Sequence, residues 1–408
     1  MKKKKIHKIV AVVVIITIII KVSSVYVIKT KKENNEQTQV AENINKEEET
    51  KALPTIPETW DLTKVIPVLS SDEKYVPVPI GFTPSKAEGE QEVDKGFVIY
   101  EGIITEPEVA NENAWTEEEA WQLSLDKNQF VWIPVENASE RIYEASSEKN
   151  PKKARLWTFS STARSVRGQG NGGSKYEPGV LTLGNNDSLR SLKNYLNYQD
   201  YSRDTWYKEL QVEYDTAMKS IEKYGGFFIG RYETGAINTN TPVVRRMNTT
   251  ISNQTWYAMY PRMKNISSNE NIQTSMIWGC LWDETLQWLI DTGCKTYADM
   301  TNSTSWGNYG NSTFTYKTNT SGGTATKNTN SDTRIPAGST EYTKANNIYD
   351  LSGNVWDWTL EGYGSSNRFL RGGCYYVYGM AYPAQLRNGS NPYGSSSDYG
   401  FRAYFYIK

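Results

Sequence analysis

Hydrophobic and polar positions divide this chain into stretches of different character. Ile9 to Ile20 is an apolar run interrupted only by Thr17, and beyond Lys21 a weaker apolar stretch reaches Ile28, giving 20 residues in all, about what a helix needs to cross a bilayer. Residues 31–57 are charged and polar and nearly free of large apolar groups, so burial cannot offset their chain entropy, and a solvated stalk is expected. From Trp60 the pattern changes to short β-rich runs punctuated by Pro and Gly. Lys64 to Leu69, Tyr75 to Ile80, Gly96 to Tyr100 and Phe130 to Val135 read as strands.

Helical periods interrupt these runs. Thr116-Glu-Glu-Glu119 has the spacing of a capping box, which predicts a helix from about Glu117 to Asp126. Trp206, Leu210, Tyr214, Met218 and Ile221 recur at helical spacing, Gly225-Gly226 supplies a stop, and Phe227 to Tyr232 reads as a strand. A further helix is expected after Asp283, as its cap, with Leu286, Leu289 and Ile290 inward and Gly293 at its end. A weaker helical pattern runs from Gln254 to Lys264, interrupted by Pro261. From Met300 to Thr340 the chain is rich in Asn, Ser, Thr and Gly without a core-forming period, which predicts long surface loops and a hairpin. Few helices, many short strands and a large irregular fraction define an α+β class.

Charge changes the reading of the N-terminus. Lys2 to Lys5, His7 and Lys8 precede the apolar run, so the positive-inside rule places the N-terminus in the cytoplasm and the remainder outside, behind an uncleaved transmembrane anchor. A cleaved signal peptide is the competing reading, since a 12-residue core from Ile9 to Ile20 has h-region length. Either way, residues 58–408 are exported.

Net charge is −1, so no overall field attracts nucleic acid, and none is expected as a partner. The single histidine, His7, leaves the rest of the chain without imidazole, which excludes Ser-His-Asp and Cys-His nucleophile pairs and His-ligated zinc there. Cys280, Cys294 and Cys374 are too few for a disulfide framework. Either one Cys280 to Cys294 bridge or three buried thiols satisfies them. Gly168-Gln-Gly-Asn-Gly-Gly173 lacks the Lys-Ser/Thr of a phosphate loop and reads as a plain flexible loop.

The most specific block is Asn347-Ile-Tyr-Asp-Leu-Ser-Gly-Asn-Val-Trp-Asp-Trp358, followed by Arg371-Gly-Gly373 and Gly400-Phe-Arg402. Gly353 can take positive φ, Asn354 can bond back to the chain, and Trp356 and Trp358 share a face that Asp357 does not. In order and spacing these elements, with Phe130-Val-Trp-Ile-Pro134, Gly226 to Glu233 and Leu281 to Trp288, resemble the formylglycine-generating enzyme (sulfatase-modifying factor) family. The resemblance covers about residues 128–408 and implies a C-type-lectin-like domain. Residues 58–127, a β-rich N-terminal extension, have no counterpart in it.

The family's enzymes use two cysteines that bind copper(I). Their places fall near Val377 and Tyr382, and neither is a thiol, so copper and the oxidase chemistry are not expected unless Cys280 or Cys294 reaches Cys374. The resemblance also implies calcium near the Gly353 turn, with Asn354, Val355 through its carbonyl, and Asp357 as matching ligands. Arg387 and Arg402 match arginines of the family and are expected as ion-pair partners within the fold.

Residues 374–400 form a tract of 27, in which six Tyr, four Ser, four Gly and two Asn make up 16. That is the composition of a binding surface, with Tyr as rigid amphipathic area and Ser, Gly and Asn as adaptable hydrogen-bonding groups. The segment is similar to the variable regions of retroelement-diversified receptor-binding proteins that share this lectin-like fold. The sequence therefore points to an exported, membrane-anchored recognition protein for an extracellular protein or glycan ligand. Its contacts are expected from Tyr375, Tyr376, Tyr378, Tyr382, Asn388, Tyr393, Asp398 and Tyr399. A formylglycine-generating oxidase and a structural surface-appendage component are the alternatives.

Overall fold

The computed structural model describes residues 54–135, 203–238, 241–363 and 367–408. The expected anchor, most of the stalk and the Gly168 loop lie outside the described residues. Among the described residues no helix is long and apolar enough to cross a membrane.

Residues Thr55 to Lys408 make one compact unit. Its spine is an antiparallel six-stranded sheet in the order β3 (Phe82–Pro84), β4 (Val98–Glu101), β5 (Gln129–Pro134), β6 (Gly226–Gly230), β18 (Ala403–Ile407), β9 (Ile272–Met276). The C-terminal strand β18 thus lies in the middle of the sheet, and its five residues are all buried. Residues 58–127 supply β3 and β4 to this sheet, and Trp60, Val76 and Trp115 to its core.

A second sheet of four strands runs β16 (Asn388–Ser390), β15 (Asn367–Arg371), β14 (Trp356–Tyr363), β17 (Tyr399–Phe401), with β14 and β17 parallel. Four two-stranded ribbons complete the strands: β1 (Val65–Leu69) with β2 (Tyr75–Pro79), β7 (Gly235–Asn238) with β8 (Thr241–Val243), β10 (Phe314–Lys317) with β11 (Thr324–Lys327), and β12 (Lys344–Ala345) with β13 (Ile348–Tyr349).

The helices are α1 (Glu117–Asp126), α2 (Arg203–Tyr224), α3 (Trp256–Met263), α4 (Gly279–Asp291) and α5 (Tyr297–Thr301). The expected capping box starts α1: Thr116 Oγ1 accepts from the Glu119 N–H at 3.2 Å, and the Glu119 carboxylate accepts from the Thr116 N–H at 2.7 Å. Leu210, Tyr214, Met218 and Ile221 are buried along α2 as their spacing requires.

Helix α4 corrects the sequence reading. It opens at Gly279 with Trp278 as its N-cap residue, a turn before Asp283. Cys280, Leu281 and Trp282 are each at most 1 % exposed, so packing carries the helix back over residues that no side-chain cap marks. Asp283 is left in the interior and finds arginines instead. Its carboxylate accepts from Arg371 Nη2 at 2.6 Å and from Arg387 Nη2, while Glu361 accepts from Arg387 Nε at 2.9 Å. Two acids and two guanidiniums thus share one buried network.

The segment from Met300 to Thr340 contains the expected hairpin, β10 and β11. It also drives Met300, Trp306, Tyr309 and Ile335 into the interior, which the sequence reading did not expect. These residues enter one at a time from irregular backbone, so they leave no periodic trace. All three cysteines are free, with Cys280 and Cys374 buried and Cys294 half-buried, so the bridge alternative does not form.

Candidate functional site

The turn before β14 fixes the tract that follows. Gly353 has φ +76, and a Cβ there would meet the Asn308 backbone at 2.3 Å, so only glycine fits. Asn354 follows at φ +61, a left-handed position that its side chain secures. Its Oδ1 accepts from Asn308 Nδ2 at 2.9 Å and from the Ile335 N–H at 3.0 Å, and its Nδ2 donates to Glu233 at 2.5 Å. Asp357 turns elsewhere: its carboxylate accepts from Arg402 Nε at 3.1 Å. Arg402 also donates to the carbonyls of Gly230, Tyr349 and Asp350.

These contacts decide the fit of calcium. Both lone pairs of Asn354 Oδ1 already hold donors, and a guanidinium is the counter-ion of Asp357. Of the expected set, Asn354 Oδ1 thus has no lone pair left for a calcium ion, while Asp357 Oδ1 is buried without a hydrogen-bond partner. Copper(I) fares no better. Val377 and Tyr382 offer no sulfur. Burial pushes the Cys374 thiol up to about 12 and holds Cys280 well above the ordinary thiol range, with Glu361 and Asp283 adding to the effect, so neither is a ready thiolate.

Arg371 and Arg387 sit in the network with Asp283 and Glu361, and Arg402 sits on Asp357, so the arginines act within the fold as expected. Gly373 then lets the chain pass close to its neighbours: at φ +83, a Cβ would meet the Tyr382 carbonyl at 2.5 Å and the Tyr309 ring at 2.6 Å.

From this point the tract forms two loops. The first, residues 375–382, is pinned along its backbone. The Tyr375 N–H donates to the Asn354 carbonyl at 2.9 Å, Gly310 to Val377 at 2.8 Å, and Ser303 to Gly379 at 3.1 Å. Asn311 Oδ1 accepts from the Gly379 N–H at 3.1 Å. The second, residues 391–399, is held by the N–H groups of Trp256, Asn253 and Trp356, which donate to the carbonyls of Pro392, Ser396 and Asp398. Arg334 reaches the Ser397 carbonyl at 3.0 Å.

On these fixed backbones the tyrosines divide by exposure. Tyr376, Tyr378 and Tyr393 are 44, 54 and 46 % exposed, and Met380, which the sequence reading passed over, is 67 % exposed. Tyr375, Tyr382, Tyr399 and Asn388 are half-buried. Tyr382 packs edge-on against Trp356 with centroids 5.7 Å apart, and Tyr399 against Trp358 at 5.4 Å, so both brace the loops. The Tyr393 ring lies 4.7 Å from that of Tyr257 on α3.

Asp398 corrects the expected contact list. It is 3 % exposed and lies beneath the surface, where it accepts from the Tyr376 hydroxyl at 2.7 Å and from Ser396 Oγ. Its role is to hold Tyr376. Between Tyr375 and Ser397 the only formal charge is Arg387, buried in its ion pairs, so the outward face of the tract is uncharged: aromatic, amide and hydroxyl groups with the Met380 thioether.

Residues 292–405 match the family described as "Sulfatase-modifying factor enzyme 1-like domain". Among solved structures, the crystal structure of CarF aligns with a TM-score of 0.31 and 16 % identity, covering 45 % of this chain and 87 % of that one. Treponema denticola variable protein 1 aligns with a TM-score of 0.29 and 15 % identity, covering 45 % and 85 %. No curated protein matches the chain.

Proposed function

We propose that this chain, whose residues 292–405 form a domain of the sulfatase-modifying factor type, is a recognition protein that binds an extracellular protein or glycan ligand through its C-terminal tyrosine surface. One observation carries the reading: Tyr376, Tyr378, Met380 and Tyr393 are four of the twelve large hydrophobic side chains exposed among the described residues, and all lie within 18 residues of a backbone locked from below. Large aromatic groups already fixed in place lose little entropy on binding, and such groups dominate binding energy at interfaces.

Lys2 to Lys5, His7 and Lys8 ahead of the Ile9 to Ile28 apolar run support export, with that run as anchor and the domain outside. The test is a double substitution, Tyr378→Ala with Tyr393→Ala, screened against arrayed glycans and cell-surface proteins. Loss of at least one hit of the native chain, with cooperative unfolding retained, supports the reading. Undiminished binding overturns it.

The family match favours one other reading, oxidation of a client cysteine. It calls for a thiol pair, and near the places of the family's cysteines this chain has Val377 and Tyr382, neither of them a thiol. Turnover of a cysteine peptide with added copper(I) would establish it against the proposal.

A further inference from the structure

A cleft of about 1140 Å³ opens between α1 and the β10–β11 ribbon, and no residue of the tyrosine tract lines it. Its volume suits an oligosaccharide or a comparable small ligand. The charges along its walls are unevenly paired. Arg246 Nη2 lies 2.9 Å and Lys344 Nζ 3.2 Å from the same Glu341 carboxylate, so two cations share one acid. Lys317 adds a third cation. It is half-buried, with its ammonium 3.4 Å from the centroid of the Trp121 ring, and Arg246 lies 4.5 Å from that same ring. Among the described residues no carboxylate lies within ion-pair distance of Lys317. The indole eases both cations, and Arg231, a fourth cation of the lining, is held by Glu90, which leaves Lys317 as the cation of the cleft without a carboxylate partner among the described residues.

Carboxylates line the same cleft. Glu117 and Glu118 stand exposed on the first turn of α1, and with Glu88, Glu90 and Glu341 they make five carboxylates in the lining. Phe314 stacks on Tyr342 with centroids 4.7 Å apart, an apolar platform within the same walls. Carboxylates accept hydrogen bonds from vicinal hydroxyls, aromatic rings pack against the C–H faces of pyranose rings, and an ammonium without a carboxylate partner takes an anion. An extended peptide has no strand to join here. The Lys317 N–H already donates to the Ser339 carbonyl at 2.8 Å, and the Thr315 carbonyl accepts from Thr340 Oγ1 at 2.8 Å.

We infer that this cleft is a second binding site, which takes an oligosaccharide bearing a carboxylate, with the acid group at Lys317 and hydroxyls at Glu117 and Glu118. The site is independent of the tyrosine tract, so its test does not depend on that reading. Full-length protein in detergent is titrated calorimetrically with two matched pairs, sialyllactose against lactose and cellobiouronate against cellobiose. At least one acidic sugar should bind, and at least tenfold more tightly than its neutral partner. Lys317→Gln, checked for unchanged thermal unfolding, should cost the acidic sugar at least tenfold and leave the neutral one unaltered, whereas the Tyr378→Ala and Tyr393→Ala pair should change nothing. Failure of both acidic sugars to bind, equal affinity within each pair, or an indifferent Lys317→Gln variant would overturn the assignment, as would tighter binding of an Asp/Glu tetrapeptide.

Discussion

The Tyr376 hydroxyl donates to the buried carboxylate of Asp398 over 2.7 Å, joining the two loops of the tyrosine tract through one hydrogen bond. The same carboxylate accepts from Ser396, and its backbone carbonyl accepts from Trp356 on β14 at 2.7 Å. An exposed ring is thereby tied to the floor of the second sheet. Rigidity of this kind lowers the ordering cost of binding.

Asp398→Asn keeps the shape while weakening the acceptor, and Tyr376→Phe removes the donor. Both variants should bind the native chain's ligand more weakly, by about 1 kcal/mol or several-fold, the worth of a hydrogen bond to a charged group partly offset by water. Surface plasmon resonance with a hit that the Tyr378→Ala and Tyr393→Ala pair loses would measure it. Unchanged dissociation rates in both variants would show that the tie is idle.

The network of Asp283, Glu361, Arg371 and Arg387 is buried, with each side chain no more than 6 % exposed. Removing one acid leaves two guanidiniums short of a counter-charge in the interior, so Asp283→Ala should lose about 3–5 kcal/mol of folding stability. Urea unfolding followed by tryptophan fluorescence reads this directly. A loss below about 1 kcal/mol, the range of exposed pairs, would contradict the burial of the network.

Around Arg402 the carboxylates dictate a pH dependence. Burial pushes the Asp357 carboxyl up to about 7, with Arg402 opposing, and raises Glu233 and Asp350 as well. Unfolded, Asp357 releases its proton near about 4. Between about 4 and 7 the folded chain therefore holds a proton that the unfolded chain has lost, and stability from this group falls as pH rises through that window. The melting temperature should be higher at pH 5 than at pH 7.5, and Asp357→Asn should flatten the difference. A wild-type profile that rises across this window would refute it.

Thiol chemistry offers an independent check. With Cys280 and Cys374 buried and their thiols held protonated, the native protein at pH 8 should give at most one slow equivalent with an aromatic disulfide reagent, from half-buried Cys294. All three cysteines should react in denaturant. Rapid reaction of two native thiols would reopen the case for a metal-binding pair.

What the sequence determined by itself was local or compositional. The α1 capping box, the α2 stripe and the strands at 65–69, 75–79 and 129–134 are written in short-range patterns, because a cap or an alternation involves residues a few positions apart. The place of the tyrosine tract was equally plain, since composition needs no fold to be read. Only the tertiary structure decided what those residues face. Asp398 became a buried acceptor, Tyr382 and Tyr399 became braces on Trp356 and Trp358, and Asp283 became the centre of an ion network, because the partners lie 22 to 104 residues away in sequence. The cleft beside Trp121 was invisible for the same reason: Trp121, Arg246 and Lys317 come from three distant segments, and their charges meet only once burial of the apolar core has brought those segments together.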